Sequence, residues 1–407
     1  MNCTNCSRDI PIDFLVHCPL CGAELRTGAW GMLGRNATRS SYVPNETFKF
    51  TTYKLLPLRL ENPPLIIDDG HALLCHSGAM AVYRLQDLAE GKVEPVVKQA
   101  LNGPASLGSL PVLARGRLLF AERGKVLAKG LLVDEVLELL KDKKVLLSSA
   151  PMAVPHKNGT LVVMSFREMG LLAHVDRYGK ISVNTITFSP SSDEAVPRSP
   201  LLAGKYVVFL ASDGSIVRYC LDTGEQKGGK LEAQGSDAIF SDASALGTVI
   251  FSECRDGDFT FLCVFDVAEN RGACNPVHVG RRTHASEVYD SYAPPCFGQV
   301  GPVLRDEHGG FVLCDTKGRK NQEALNLRPR GEYSKHSSII IGNEIVSFGP
   351  SRIWRFNLET LEEREPIELS SAHGGELNLG ELIFQASFHK GWSLAPFSEK
   401  LMIGLPY

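Results

Sequence analysis

The sequence predicts a mainly β chain, with a small metal-binding module at its N-terminus followed by a β-propeller of about eight four-stranded blades, seven being the alternative. Two observations predict this. Four cysteines stand at metal-ligand spacing within the first 21 residues, and one unit of short apolar runs recurs from about residue 48 to the end. Residues 1–26 are the module, 27–47 a linker and 48–407 the propeller.

The cysteines read Cys3-x-x-Cys6, eleven residues, then Cys18-x-x-Cys21. A C-x-x-C turn presents two thiolates on one knuckle, and two facing knuckles close a tetrahedral site. In the second knuckle Pro19 sets the turn, and Gly22 stands where a positive φ is expected. Phe14-Leu15-Val16-His17 reads as a short strand entering it. The segment resembles the zinc-ribbon family. An all-sulfur tetrahedral site favours zinc, one ion per chain, with a rubredoxin-like iron as the alternative. With all four ligands cysteine, no coordination position is left for water or substrate, so the expected role is structural. His17 reads as a surface neighbour of the site rather than a ligand.

In the repeat, the second run of each unit carries an adjacent apolar pair: Leu73-Leu74, Leu118-Leu119, Leu161-Val162, Val207-Val208, Val249-Ile250, Phe311-Val312, Ile345-Val346 and Leu382-Ile383. Their spacings are 45, 43, 46, 42, 62, 34 and 37 residues. Short strands recurring every 40–50 residues mean propeller blades. Turn glycines follow at Gly78, Gly124, Gly170, Gly214, Gly257, Gly318, Gly349 and Gly391, and prolines lead at Pro64, Pro111, Pro151, Pro200 and Pro302. Only 131–143 reads as a helix, inserted after the second hairpin. The last unit, 377–407, lacks an outer strand, which Thr47–Leu56 would supply, closing the ring and removing an open edge.

The fourth unit is the clearest, from Ser199-Pro200-Leu201 through Ala211-Ser212-Asp213-Gly214 to Leu221-Asp222-Thr223-Gly224. It resembles the repeat of the quinoprotein-like (PQQ-like) propeller superfamily. That resemblance implies the architecture but not the redox chemistry. No Trp follows Gly224, and no adjacent Cys-Cys pair exists to lie over a quinone.

Composition is ordinary and globular, 43% hydrophobic and 22% charged with a net charge of −3, which gives no global electrostatic case for nucleic acid. No apolar run reaches the roughly 18 residues of a membrane span, and the knuckle at residue 3 leaves no room for a leader. Cys75, Cys220, Cys254, Cys263, Cys274, Cys296 and Cys314 are scattered singly, which reads as buried reduced thiols in a cytoplasmic protein.

Candidate chemistry is thin. Gly224-Glu225-Gln226-Lys227-Gly228-Gly229-Lys230 imitates a phosphate loop, but Leu231 replaces the hydroxyl residue and no helix follows, so it reads as a blade edge. His71 and His76 flank a strand and show no ligand spacing. The longest interval, between Val249 and Phe311, contains a loop with Arg282, Tyr289 and Tyr292, residue types that anchor interfaces.

The reading is therefore a non-catalytic scaffold or adaptor for other proteins. Zinc ribbon and propeller in one chain resemble the propeller components of prokaryotic systems built on a MoxR-type ATPase and a von Willebrand A-domain protein, which implies such partners. The alternatives are a hydrolase or lyase with its site in the central channel, and a nucleic-acid-associated adaptor acting through the ribbon. Against the latter, Arg8 and Arg26 are offset by Asp9, Asp13 and Glu24. Elemental analysis is expected to find about one zinc per chain. Cys18→Ser should abolish it and leave the β circular dichroism unchanged, because a ribbon this small folds on its metal while a propeller does not. Full zinc occupancy in the variant would refute the four-cysteine site.

Overall fold

The computed structural model describes residues 42–43, 53–60, 64–67, 70–100, 111–115, 117–122, 124–130, 136–140, 149–157, 159–233, 238–256, 259–279, 295–298, 301–305, 311–321, 339–348, 352–368, 387–389, 392–397 and 400–404. Two short strands come first, β1 (Tyr42–Val43) and β2 (Tyr53–Leu56). The first sheet is β3 (Leu65–Ile66), β4 (His71–His76), β5 (Ala79–Arg84) and β6 (Val97–Ala100). The second is β7 (Val112–Ala114), β8 (Arg117–Glu122), β9 (Lys125–Gly130) and β10 (Val136–Glu138). The third is β11 (Met152–His156), β12 (Gly159–Ser165), β13 (Met169–Asp176) and β14 (Ile181–Thr187). The fourth is β15 (Leu201–Ala203), β16 (Tyr206–Leu210), β17 (Ser215–Cys220) and β18 (Gln226–Lys230). The fifth is β19 (Ile239–Leu246), β20 (Val249–Asp256), β21 (Phe259–Asp266) and β22 (Arg271–Val279). The sixth has β23 (Cys296–Gly298), β24 (Gly301–Arg305) and β25 (Phe311–Leu313). The seventh has β26 (Ile339–Ile341), β27 (Glu344–Phe348), β28 (Arg352–Asn357) and β29 (Glu363–Glu368), with β1 added beside β26. The last is β30 (Ser387–His389), β31 (Trp392–Phe397) and β32 (Lys400–Gly404), completed on its outer side by β2.

The first strands of neighbouring sheets touch: β7 with β11, β15 with β19, β19 with β23, β23 with β26, and β30 with β3. The sheets thus follow one another in chain order around an axis and return to the start, as a β-propeller. The expected uniform blade is corrected. Among the described residues six sheets have four strands, the sixth has three and the seventh has five. The fifth strand, β1, runs parallel to β26 on the axial side, with Tyr42 opposite Ile340 and Val43 opposite Ile341.

The adjacent apolar pair has a direct physical cause. Successive strand residues face opposite sides, and a blade's second strand is covered on both. In β16, Val207 and Phe209 join the core shared with the third sheet, while Val208 and Leu210 join the core shared with the fifth. In β12, Leu161 and Val163 face one neighbour and Val162 and Met164 the other.

Several expectations need correction. Phe311-Val312 lies in the third strand of its sheet, and the second-strand pair there is Val303-Leu304. Pro302 is inside β24, and Pro295 is the leading proline. With that one-strand slip corrected the intervals of 62 and 34 become 54 and 42, so the span before the sixth sheet remains the longest of those among the first seven sheets. Leu382-Ile383 lies outside the described residues, and the second strand of the last sheet begins at Trp392. Within the span read as a helix, residues 136–138 are the outer strand β10, with Val136 opposite Lys129. The unpaired edge of β9 outweighs the weak helical preference of that run. The only helix among the described residues, α1 (Leu85–Glu90), links β5 to β6 and closes on Gly91 at φ +88°.

Gly170 is not a turn residue. It sits within β13 opposite Ile186, and a Cβ there would lie 2.4 Å from the Phe209 ring of the next sheet. Gly170→Ala is expected to lower the urea midpoint by an amount worth about 1–3 kcal/mol, the range for overpacking. Unchanged stability would mean that this seam is not close-packed.

A candidate interaction face between the fourth and fifth sheets

One face of the ring carries the turns between second and third strands and the connections from sheet to sheet. The connection from β14 to β15 is stapled there by Asp213. Asp213 Oδ2 accepts from Ser191 N at 2.7 Å, Ser191 Oγ at 2.7 Å, Ser192 N at 3.1 Å and Ser215 Oγ at 2.9 Å, and Oδ1 accepts from Ser215 N at 3.0 Å. Burial raises the carboxyl's pKa, but the donors from Ser191 and Ser215 together outweigh it, and the net shift is downward. Lys230 Nζ reaches Ser191 Oγ at 3.3 Å. Gly214 makes the turn at φ +80°, where a Cβ would meet Leu231 O at 2.7 Å.

Further along, the chain enters a polar seam. The β19–β20 register shifts between Phe240 and Ala243, so Ser241 and Asp242 fall in a bulge. The bulge turns Asp242 toward the fourth sheet, where its Oδ1 accepts from Ser199 N at 2.7 Å. Arg198, 2% exposed, donates from Nε to Phe240 O at 2.6 Å. Ser241 Oγ accepts from Glu253 N at 3.0 Å, and Arg255 Nε donates to Glu253 Oε1 at 3.0 Å. Arginine and carboxylates converge here as in a catalytic cluster, yet each has a hydrogen bond to backbone or to another of them. Cys254, between Glu253 and Arg255, has its thiol pushed up to about 12 by burial and then by Asp256 and Glu253, so it stays protonated.

Outside this seam two apolar side chains are exposed, on opposite sides of the fifth sheet. Ile239 is 50% exposed and Phe259 46%, and both lie at the same end of the fifth sheet. Phe259 packs near Phe261, with ring centroids 6.2 Å apart, and stands opposite Val279, the last residue before the chain leaves for 280–294. Sequence reasoning passed over Ile239 and Phe259. Their signal is weak, two apolar residues at outward strand ends, where alternation calls for polar ones.

The anchors expected in that loop, Arg282, Tyr289 and Tyr292, lie outside the described residues, as do the expected zinc ligands Cys3, Cys6, Cys18 and Cys21. Among the described residues no group of three or more His, Cys, Asp or Glu is placed to hold a metal. His71 and His76 are buried at opposite ends of β4, and His76 Nε2 pairs with Tyr83 Oη at 2.5 Å. The phosphate-loop look-alike is the exposed outer strand β18. Cys263 and Cys274 are not separate thiols but a disulfide joining β21 to β22. They face each other across a hairpin, a register that sequence spacing does not display. On the opposite face, a cavity of about 330 Å³ between the sixth and seventh sheets is lined by Asp315, Arg319, Lys320 and Glu359. Asp315 is already bonded to Arg319 at 2.8 Å, and Glu359 to Asn343 at 2.6 Å.

No family model matches the chain, and no curated protein does. Solved structures do. BamB from Moraxella catarrhalis aligns at a TM-score of 0.56 and 15% identity, over 88% of this chain and 100% of that one. The computationally designed Ika8 protein aligns at 0.56 and 12%, over 90% and 99%. Sqt1 from Saccharomyces cerevisiae aligns at 0.53 and 11%, over 89% and 100%. At these identities the likeness is one of fold alone, that of a β-propeller.

Asp213 carries a pH prediction. Its folded pKa is depressed, so its contribution is present above the unfolded value of about 3.9 and is lost as pH falls through the folded value. Asp213→Asn should lower the thermal midpoint at pH 7, and the gap to the wild type should narrow below about pH 4. A gap that stays constant down to pH 3 would show that the charge on Asp213 is not what holds the connection.

Proposed function

We propose that the chain is a non-catalytic scaffold that binds other proteins through the connection-bearing face at its fifth sheet. The observation that carries this is the exposed Phe259 beside the exit of the 280–294 segment, with Ile239 exposed at the same end on the other side of the sheet. Exposed aromatic and aliphatic side chains are residue types that bind partners. Arg282, Tyr289 and Tyr292 would extend the same surface. A structural zinc held by Cys3, Cys6, Cys18 and Cys21 would make the N-terminal ribbon a second contact. All eight sheets are taken as blades of one ring. The partners proposed are a MoxR-type ATPase or a von Willebrand A-domain protein, and the compartment the cytoplasm. That compartment rests on the four thiolates, which need reducing conditions.

A catalytic reading asks for polar groups converging on open space. Arg198 and Asp242 converge, but at 2% and 6% exposure, with hydrogen bonds to backbone. The face itself is tested with Ile239→Ser/Phe259→Ser and, separately, deletion of 281–293, which stops short of Pro295 and the buried Cys296 of β23. Each is expected to weaken capture of the native partner by at least about tenfold, worth 1.4 kcal/mol, with unchanged circular dichroism. Capture at wild-type strength by both would place binding elsewhere.

A further inference from the structure

An outer strand is an open row of backbone donors and acceptors, and proteins guard such edges with charge or proline. Among the described residues six outer strands do so, and the three-residue β25, Phe311-Val312-Leu313, is too short to offer much of an edge. β2 carries Lys54, β6 Lys98, β10 Glu138, β18 Lys227 and Lys230, β22 Arg271 and Pro276, and β29 Glu363, Arg364 and Pro366. β14, Ile181-Ser182-Val183-Asn184-Thr185-Ile186-Thr187, carries neither, although it is seven residues long and Ser182 to Thr185 are exposed.

The direction of its backbone groups follows from the ladder. Asp176 N donates to Lys180 O and Phe188 N to Glu168 O, so even-numbered residues of β14 face β13. Ile181, Val183, Thr185 and Thr187 therefore turn their N–H and C=O outward. Gln226 Nε2 donates to Thr187 O at 2.8 Å, as that orientation requires. The strand is also electrically polar along its length. Arg177 and Lys180 are exposed at its start beside half-buried Asp176, and Glu168 is exposed at its end beside half-buried Arg167, with Asp193 and Glu194 exposed farther along the connection to the fourth sheet.

We propose that β14 is a self-association edge, at which two copies of this chain join by antiparallel pairing about a two-fold axis. A neutral strand can face itself without repulsion. Antiparallel pairing also brings the basic end of each copy to the acidic end of the other, a closed and self-complementary contact. Because Thr187 O is taken by Gln226, the register is centred on Val183. Val183 exchanges both bonds with the partner's Val183, and Ile181 pairs with the partner's Thr185.

The test is the mass of the full-length protein by sedimentation and light scattering, from about 1 to 100 µM, where a micromolar Kd is read directly. A concentration-dependent dimer is expected. Thr185→Lys places like charges at the contact, and Val183→Pro removes only an outward N–H, so both should raise the dimer Kd at least about tenfold with unchanged circular dichroism. Should Val183→Pro fail to fold, the exposed Thr185→Lys decides. Lys180→Glu should weaken the dimer, and Lys180→Glu/Glu168→Lys should restore it. A monomer at every concentration overturns the proposal and leaves the edge to another chain's extended segment. A dimer indifferent to Thr185→Lys overturns it in favour of another surface. A charge swap that fails to restore overturns the antiparallel geometry.

Discussion

The structure depends on the pairing of β2 with β32. Tyr53 to Leu56 lie opposite Gly404 to Leu401, so a strand that precedes the first sheet completes the last one. Without it the final sheet would end in a bare edge, and the ring would have a seam joined by side chains alone. Leu56, Leu58 and Leu60 belong to the same core as Leu73 and Val82 of the first sheet, Val346 of the seventh and Leu401 to Ile403 of the last. One hydrogen-bonded strand thus ties both ends of the chain into a continuous apolar layer. Closing so long a loop costs entropy that grows only logarithmically with length, while the buried leucines contribute in proportion to area.

The parts of this fold legible in the sequence were those set by local periodicity. Pairs such as Val207-Val208 announced strands covered on both faces, and Thr47–Leu56 announced a closing strand, realised at Tyr53–Leu56. What failed had a common cause. Phe311-Val312 resembles a second-strand pair and is a third strand, because a third strand covered by its neighbour is also apolar on both faces. Residues 136–138 have helical spacing, yet the open side of β9 claims them. Gly170 looked like a turn, and only the Phe209 ring from the next sheet explains it. Pairing between sheets decides all three, and spacing along the chain carries no record of it.

The same limit applies to the candidate site. The polar seam of Arg198, Ser199 and Asp242 depends on a bulge in β19 that is invisible in Phe240-Ser241-Asp242-Ala243 as letters. Asp213-Gly214 was legible as a turn. Its role as the anchor of the 188–200 connection was not, because Ser191 lies 22 residues away. The cross-strand partnership of Cys263 and Cys274 belongs to this class as well. The polar seam and Asp213 thereby hold one sheet to the next, and the disulfide ties two strands within the fifth sheet. Ile239 and Phe259 at the end of the fifth sheet, by contrast, are exposed, and they belong to the surface proposed above for recognition.

Closure of the ring through β2 makes it one cooperative unit. Native-state amide hydrogen exchange tests it most directly. The amides of β2 that donate to β32 should exchange with a free energy within about 1 kcal/mol of those in β31, because they open only when the ring opens. Exchange of the β2 amides several kcal/mol more easily, with β31 still protected, would contradict the account. It would make the closing strand an accessory to a ring that holds without it.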